Sequence, residues 1–286
     1  MGDGAGRRGG AVLASVLVLG LAAGCGSSVV TTAGPPPPAY GGALWVPPEP
    51  GTDLWQDPGA AGLVTDCDFS EVGGTSTTPF TGGEVGATPE AALQQAHDEG
   101  TWDAPIDLMQ VVRRDSDRVL YAYATDGRTK QAVIVHYGPA AEGTGAGWDG
   151  LAWWVESWSR CDVAEYPAEV TDGLDYQFWT DAAGRRRPIT EIVSHPGGDC
   201  VPGTRFLELG RHDDQPQTYV ARGNDFPDFF AEPYREDVPL PSDALDSGYA
   251  HHGEHLWFSA DRTRAYVGDA DRVDLWPRTA QSLGCA

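Results

Sequence analysis

Between residues 108 and 159 short apolar runs alternate with turn residues, and that spacing leaves room for little except antiparallel strands. The runs 119–125 and 129–137 flank Asp126-Gly127, a dipeptide that tolerates positive φ at both central positions of a two-residue hairpin. Asp115-Ser116-Asp117 separates the first of these from a run at 108–113, and a Trp-rich run follows a Gly-rich loop at 151–159. One helix signature precedes them. Thr88 supplies an N-cap hydroxyl, Pro89 a pre-set first φ, and Glu90 an acid in the first turn, while Ala92, Leu93 and Ala96 offer an apolar stripe and Gly100 a stop. The expected arrangement is one helix lying across an antiparallel sheet.

Beyond residue 170 the pattern is mainly β. Strands are expected at 176–180, 189–194, 205–209, 218–222, 256–259 and 264–267, separated by Gly, Pro and Asp turns. Residues 223–255 hold four Pro and little periodicity, which predicts irregular wrapping. The fold class is therefore α+β: one helix on an antiparallel sheet over 61–170, followed by a mainly-β module over 171–286.

The first 24 residues read as an export leader. Arg7 and Arg8 precede an apolar run at 11–21, too short for a membrane-spanning helix of about 20 residues. Leu21-Ala22-Ala23-Gly24-Cys25 resembles the lipobox of bacterial lipoproteins. That resemblance implies diacylation of Cys25 and a location on the extracytoplasmic face of the cell membrane, where two acyl chains anchor stably and one does not. Residues 25–60 carry Pro35 to Pro38, Pro47, Pro48, Pro50 and Pro58, a composition expected to form an extended tether without a core. Trp45 and Trp55 interrupt it and either dock on the folded part or stand exposed.

Nineteen Lys and Arg against 42 Asp and Glu give a net charge of −23. Nucleic acid as a partner is excluded by that balance, because phosphate neutralisation needs clustered cations. Disorder is argued against by an apolar share of 41% together with 10 Trp, 10 Tyr and 8 Phe.

Once Cys25 is set aside, Cys67, Cys161, Cys200 and Cys285 remain, an even number in an exported chain. Three pairings are open. The division into two blocks favours Cys67–Cys161 and Cys200–Cys285, and the absence of any CxxC spacing argues against structural zinc or a redox dithiol. Trp153-Trp154-Val155-Glu156-Ser157-Trp158 ending in Cys161-Asp162, with Asp199-Cys200, Trp276-Pro277 and Gly284-Cys285-Ala286, resembles secreted and lipoprotein families of high-GC actinobacteria. The resemblance also implies lipoprotein status and the 200–285 bridge, and it supplies no active-site residues.

Several chemistries are missing. No Ser stands three residues before Lys130, the only lysine, and there is no Gly-x-Ser-x-Gly elbow and no phosphate-binding Gly loop. His251-His252-Gly253-Glu254-His255 is the densest set of metal-type ligands, readable as a transition-metal site at His251, His252 and His255 or as a polar turn entering a strand. Asp269-Ala270-Asp271 reads as an Asp-rich turn or a calcium loop without the EF-hand spacing. Arg185-Arg186-Arg187 reads as an anion site or a solvated turn paired with acid. Alternation along the Trp-rich run places Trp154, Glu156 and Trp158 on one face. They form either a core covered by the helix on one side and the second block on the other, or an aromatic binding surface.

The function expected is a lipid-anchored extracytoplasmic binding module with no cofactor, whose partners are the membrane and an extracellular protein, peptide or cell-wall ligand. The alternative is an extracytoplasmic hydrolase that uses carboxylates or a metal near His251, His252 and His255.

Overall fold

The structure is a computed structural model that describes residues 36–83, 85–101, 106–141, 144, 150–197, 202–211, 216–221 and 232–279. The expected leader, Cys25 with its expected lipid, and the expected Cys200–Cys285 pairing fall on residues outside the described ones. Short helix α1 (Gly59–Gly62) leads into β1 (Glu71–Thr75) and helix α2 (Pro89–Asp98). Then come β2 (Gln110–Arg114), β3 (Arg118–Thr125), β4 (Arg128–Pro139) and β5 (Leu151–Cys161). They make one antiparallel sheet in the order β1-β5-β4-β3-β2.

Local signals account for these elements. Thr88 caps α2 by accepting from the Ala91 amide at 3.1 Å. Asp126 and Gly127 take φ of 53° and 75°, the left-handed pair that a two-residue hairpin between β3 and β4 requires. Cys67 and Cys161 form the expected disulfide, with their Cα atoms 5.2 Å apart.

Both faces of this sheet are core. On one, Val119, Tyr121, Val133 and Val135 meet Ala92 and Leu93 of α2. Val163, Tyr166, Ile189 and Val193 join the same cluster, so residues from both sides of position 170 share one core. On the other face, Leu120, Ala132 and Ile134 meet Leu44, Ala60 and Ala61.

The stretch expected to be an uncored tether is thus docked from about Tyr40 onward, and the cover anticipated from the second block comes from this segment. Leu44 is 5% exposed, and Arg113 donates from Nη1 to the Gly42 carbonyl at 2.7 Å. The physical reason lies in β3 and β4, whose apolar residues run on without alternation, as strands buried on both faces do. The second face needs a cover, and this strap supplies it. Trp45 and Trp55 point outward, at 51% and 77% exposure.

Downstream lie α3 (Ala168–Thr171), β6 (Gln177–Phe178), β7 (Ile192–Pro196), β8 (Arg205–Leu209) and β9 (Gln217–Ala221), with the strands forming a sheet in chain order. A third sheet follows, built of β10 (Arg235–Val238), β11 (Leu245–His251), β12 (Glu254–Phe258), β13 (Arg264–Gly268) and β14 (Val273–Pro277). Its order is β10-β14-β13-β12-β11. Trp179, Ile192, Leu207 and Tyr219 pack with Leu256, Phe258, Ala265 and Trp276 into one core between these two sheets.

The fold class is α+β with β predominant, as expected. Of the irregular wrapping expected over 223–255, residues 223–231 lie outside the described residues, and over 232–255 it is corrected by β10 and β11. A register irregularity between Asp246 and Ala250 breaks the period of β11, and β10 is an edge strand of three exposed residues and one half-buried Val. Neither carries the two-residue apolar rhythm by which a strand is recognised.

Candidate functional site

The Trp-rich strand β5 carries a bulge. Ile134 on β4 pairs with Ser157, yet the next residue, Val135, pairs with Val155. Glu156 is therefore the extra residue, and one extra residue inverts the side-chain alternation beyond it. Trp154 and Trp158, expected to share a face, are turned to opposite sides.

Trp154 is 1% exposed and stacks on Phe80 with ring centroids 5.1 Å apart. His136 meets its edge at the same separation. Glu156 stays on this side, buried, and receives Arg118 through Nε at 2.7 Å and Nη2 at 2.8 Å. The Nδ1 of His136 lies 3.1 Å from Oε1, the same oxygen that Arg118 Nη2 reaches. Burial opposes the charge on Glu156, but His136 and Arg118 outweigh it and hold the carboxyl below its usual range. An enclosed, fully paired carboxylate of this kind stabilises a bulge and offers no open position to a substrate.

Trp158 faces the other way and forms the floor of a cavity of about 370 Å³. Sequence places it there through β1. A Cβ on Gly74 would stand 3.0 Å from Trp158 Nε1, and one on Gly73 would stand 2.5 Å from the Trp158 carbonyl. Gly74 thus lets the indole lie against the strand, while Gly73 admits Pro58 and the neighbouring backbone on the other side. One wall is the last part of α2, through Ala92, Ala96 and Glu99. The opposite wall is the loop 76–83, which brings Phe80 and a row of hydroxyls. Gly83 closes the loop against the helix end, because its φ is +67° and a Cβ there would stand 2.6 Å from Glu99 Oε2. Trp55 forms the rim on a single 3-10 turn, held where Asp53 Oδ1 accepts from its backbone amide at 3.1 Å. Two of the three aromatic residues described at the cavity, Phe80 and Trp55, sit on segments without strand or helix periodicity, so no sequence pattern announces them.

His251 and His252 lie together, with ring centroids 4.3 Å apart, but His255 does not join them. Ala250 pairs with His255 and His251 with Glu254 across the β11–β12 hairpin, so His251 and His255 occupy adjacent register positions and opposite faces. His251 donates from Nδ1 to the Phe178 carbonyl at 2.9 Å, and burial lowers its pKa and favours the neutral ring. His255 stands beside Trp257, with ring centroids 5.6 Å apart. Among the described residues, the only group of three metal-type ligands within reach of one another is Cys67, Cys161 and Glu165, whose two sulfurs are bonded together.

The other polar clusters are engaged within the fold. Arg185 binds Asp181 at 2.9 Å, Arg186 lies 4.7 Å over the Phe178 ring, and Arg187 binds Glu191. Asp269 accepts from the amides of Asp271 and Arg272 at 3.0 and 3.1 Å, a turn closed on itself. A second, more open groove of about 590 Å³ runs past Glu71, Glu191 and Tyr249. Its acids are already taken, since Glu71 receives Thr65 and Ser159 while Glu191 receives Arg187 and Tyr249. Burial, with help from Glu191, pushes the Tyr249 hydroxyl up to about 12.

No protein-family model, curated protein or solved structure gives a significant match to this chain.

Proposed function

We propose that the protein is a non-catalytic binding module, held at the extracytoplasmic face of the cell membrane by lipid on Cys25, with its ligand received in the cavity over Trp158. The observation that carries the reading is the cavity itself. It is concave, walled by three aromatic side chains and rimmed by hydroxyls, the composition of a small-ligand pocket. Trp55 at 77% exposure is a large apolar surface left to water at its mouth. The leader, the lipobox-like Leu21 to Cys25 and the cysteine pair Cys67–Cys161 fit an exported, anchored protein. The opposed faces of His251 and His255 take away the motive for the metal-hydrolase alternative.

Two measurements test the proposal. Metabolic labelling with an alkyne fatty acid should tag the wild type in the membrane fraction, and Cys25→Ala should remove the tag. A labelled Cys25→Ala chain would sink the anchor. For the cavity, the full chain in detergent is titrated with a panel of peptides and wall glycans while Trp fluorescence is followed. A saturable change lost in Trp158→Ala and weakened in Trp55→Ala is expected. Turnover of any panel member, or a response indifferent to both variants, would refute the binding reading.

A further inference from the structure

The tip of the β11–β12 hairpin holds two imidazoles in contact. His251 is the last residue of β11 and pairs with Glu254, the first of β12, so their side chains leave the same face. Between them His252 and Gly253 take φ of 49° and 91°, the left-handed pair of a two-residue turn. The His252 ring meets that of His251 edge-on. His251 is set up to lend a lone pair. Its Nδ1 lies 2.9 Å from the Phe178 carbonyl, and a carbonyl oxygen only accepts, so the proton sits on Nδ1 and the lone pair on Nε2. Among the described residues nothing hydrogen-bonds that Nε2. A backbone carbonyl on the far nitrogen is the common outer partner of a metal-binding imidazole, because it fixes the tautomer and the orientation of the ring. The backbone beneath is pinned as well, since Thr180 and Ala250 exchange both of their hydrogen bonds, at 2.8 and 2.9 Å. His252 is exposed, so its ring can turn toward Nε2 without moving the strands.

The spacing suits one shared ion. A metal-bound imidazole nitrogen stands about 2.0–2.1 Å from the ion with its ring centre roughly 1.1 Å behind it, so two rings on one ion have centres about 4.5 Å apart at a right angle and about 5.2 Å apart at the tetrahedral angle. The observed 4.3 Å is nearer the first value. Right angles belong to the square-planar preference of Cu(II) and Ni(II), and Cu(II) leads the affinity order for nitrogen ligands. Of the charged groups that act on His251, Glu254 favours a cation and Arg205 opposes one, so the imidazoles must carry the affinity. The net charge of −23 raises the concentration of cations around the whole chain. His255 pairs with Ala250 and takes the other face, so it supplies no third nitrogen. Two protein ligands leave the remaining positions to water, unlike the three-ligand centre of a zinc hydrolase.

We propose that His251 and His252 form a two-imidazole site for a late transition-metal dication, Cu(II) before Zn(II), at the tip of this hairpin. The site shares no residue with the described lining of the cavity over Trp158, so it stands or falls independently of the binding reading above.

The test titrates the full chain in detergent, freed of metal by a chelator, with Cu(II) and separately with Zn(II). Trp fluorescence follows binding, since the Trp179 and His251 ring centroids are 5.9 Å apart and Cu(II) quenches a nearby indole. Cu(II) should bind, and its EPR spectrum should show two equatorial imidazole nitrogens. His252→Asn keeps a residue suited to the left-handed turn. It should leave the melting temperature of the metal-free chain unchanged and weaken Cu(II) at least about tenfold, because the second imidazole of a linked pair acts at high effective concentration. His251→Gln should weaken Cu(II) by a similar factor, and His255→Ala should bind it as the wild type does. Zn(II) should bind at least about tenfold more weakly than Cu(II). Equal Cu(II) affinity in the wild type and His252→Asn, a loss in His255→Ala as large as that in His252→Asn, or a spectrum without two imidazole nitrogens would overturn the site. Zn(II) binding as tightly as Cu(II) would overturn the copper preference.

Discussion

The docked strap makes the sharpest prediction, because two neighbouring residues should behave in opposite ways. Leu44 is 5% exposed and packs against Leu120 and Ile134, whereas Trp45 is 51% exposed. Replacing a buried Leu by Ala removes its transfer energy and leaves a cavity, for a total of about 2–5 kcal/mol. Leu44 is covered from the sheet side by strands and borders a single layer of chain, so the lower half of that range applies, about 2–3 kcal/mol. For a domain of this size that is a fall in melting temperature on the order of 5–10 °C. Trp45→Ala should stay within about 0.5 kcal/mol, as exposed substitutions do. Urea unfolding followed by Trp fluorescence reads the midpoint, and limited proteolysis of the folded state reads the strap directly. Protease should cut the 36–58 segment of Leu44→Ala at low urea while it spares the wild type. If Leu44→Ala shifts the midpoint no more than Trp45→Ala, and both chains are cut in that segment at equal rates, the strap is a free tether and the second face of the sheet is covered by something else.

Three further outcomes follow from single features. Cys67 and Cys161 are 94 residues apart, and in the chain-entropy model opening that loop costs about 4–5 kcal/mol, so the double Ser variant should melt far below the wild type in the absence of reductant, and equal melting would refute the constraint. Lys130 and Glu165, both buried, meet at 2.6 Å, and Lys130→Met should cost roughly 3–5 kcal/mol by stranding the carboxylate; Lys130→Met with Glu165→Leu should recover part of that in chemical denaturation, and no recovery would mean that Glu165 is held by the Asp68 and Phe69 amides alone. His195 and Glu208 lie 3.5 Å apart, and Glu208 raises the imidazole pKa while His195 lowers that of the carboxyl. The His contribution is complete below its ordinary value of about 6.5 and is lost as pH rises through the raised one, and the Glu contribution is lost as pH falls below about 4.5. A plot of melting temperature against pH should therefore lose its advantage between those limits in Glu208→Gln, and parallel profiles would dismiss the pair.

How far the candidate site could be read beforehand depends on the residue. Trp158 and its strand are visible in the sequence, because a run of bulky residues next to a hairpin signal can hardly be anything else. Its face is not. Period-two alternation assigns Trp154 and Trp158 to one side, and a single bulged residue, Glu156, reverses that. The bulge is held by Arg118 on β3 and His136 on β4, partners 38 and 20 positions away along the chain, so no local pattern encodes it. Phe80 and Trp55 reach the cavity from irregular segments whose path is set by contacts with β1, β5 and α2. That His255 stands apart from His251 and His252 was illegible for a related reason. Proximity in sequence says nothing about which face of a hairpin each ring takes until the register of β11 on β12 is known.

Other features needed no tertiary information. Thr88, Pro89 and Glu90 start a helix through hydrogen bonds and φ values within one turn of themselves. Asp126-Gly127 reverses the chain because those two residues accept a left-handed backbone. The acidic balance argues against nucleic acid as a partner, and the single lysine without a Ser three residues before it removes Ser-x-x-Lys chemistry, by arithmetic alone. Interactions of that kind span a few residues, so the sequence by itself determines them. The tertiary structure alone decides that a Pro-rich stretch becomes a strap, that one core joins residues on both sides of position 170, and that an aromatic cavity opens beside the end of α2. Those outcomes depend on burying the second face of a doubly apolar sheet, and that requirement exists only after the strands have paired.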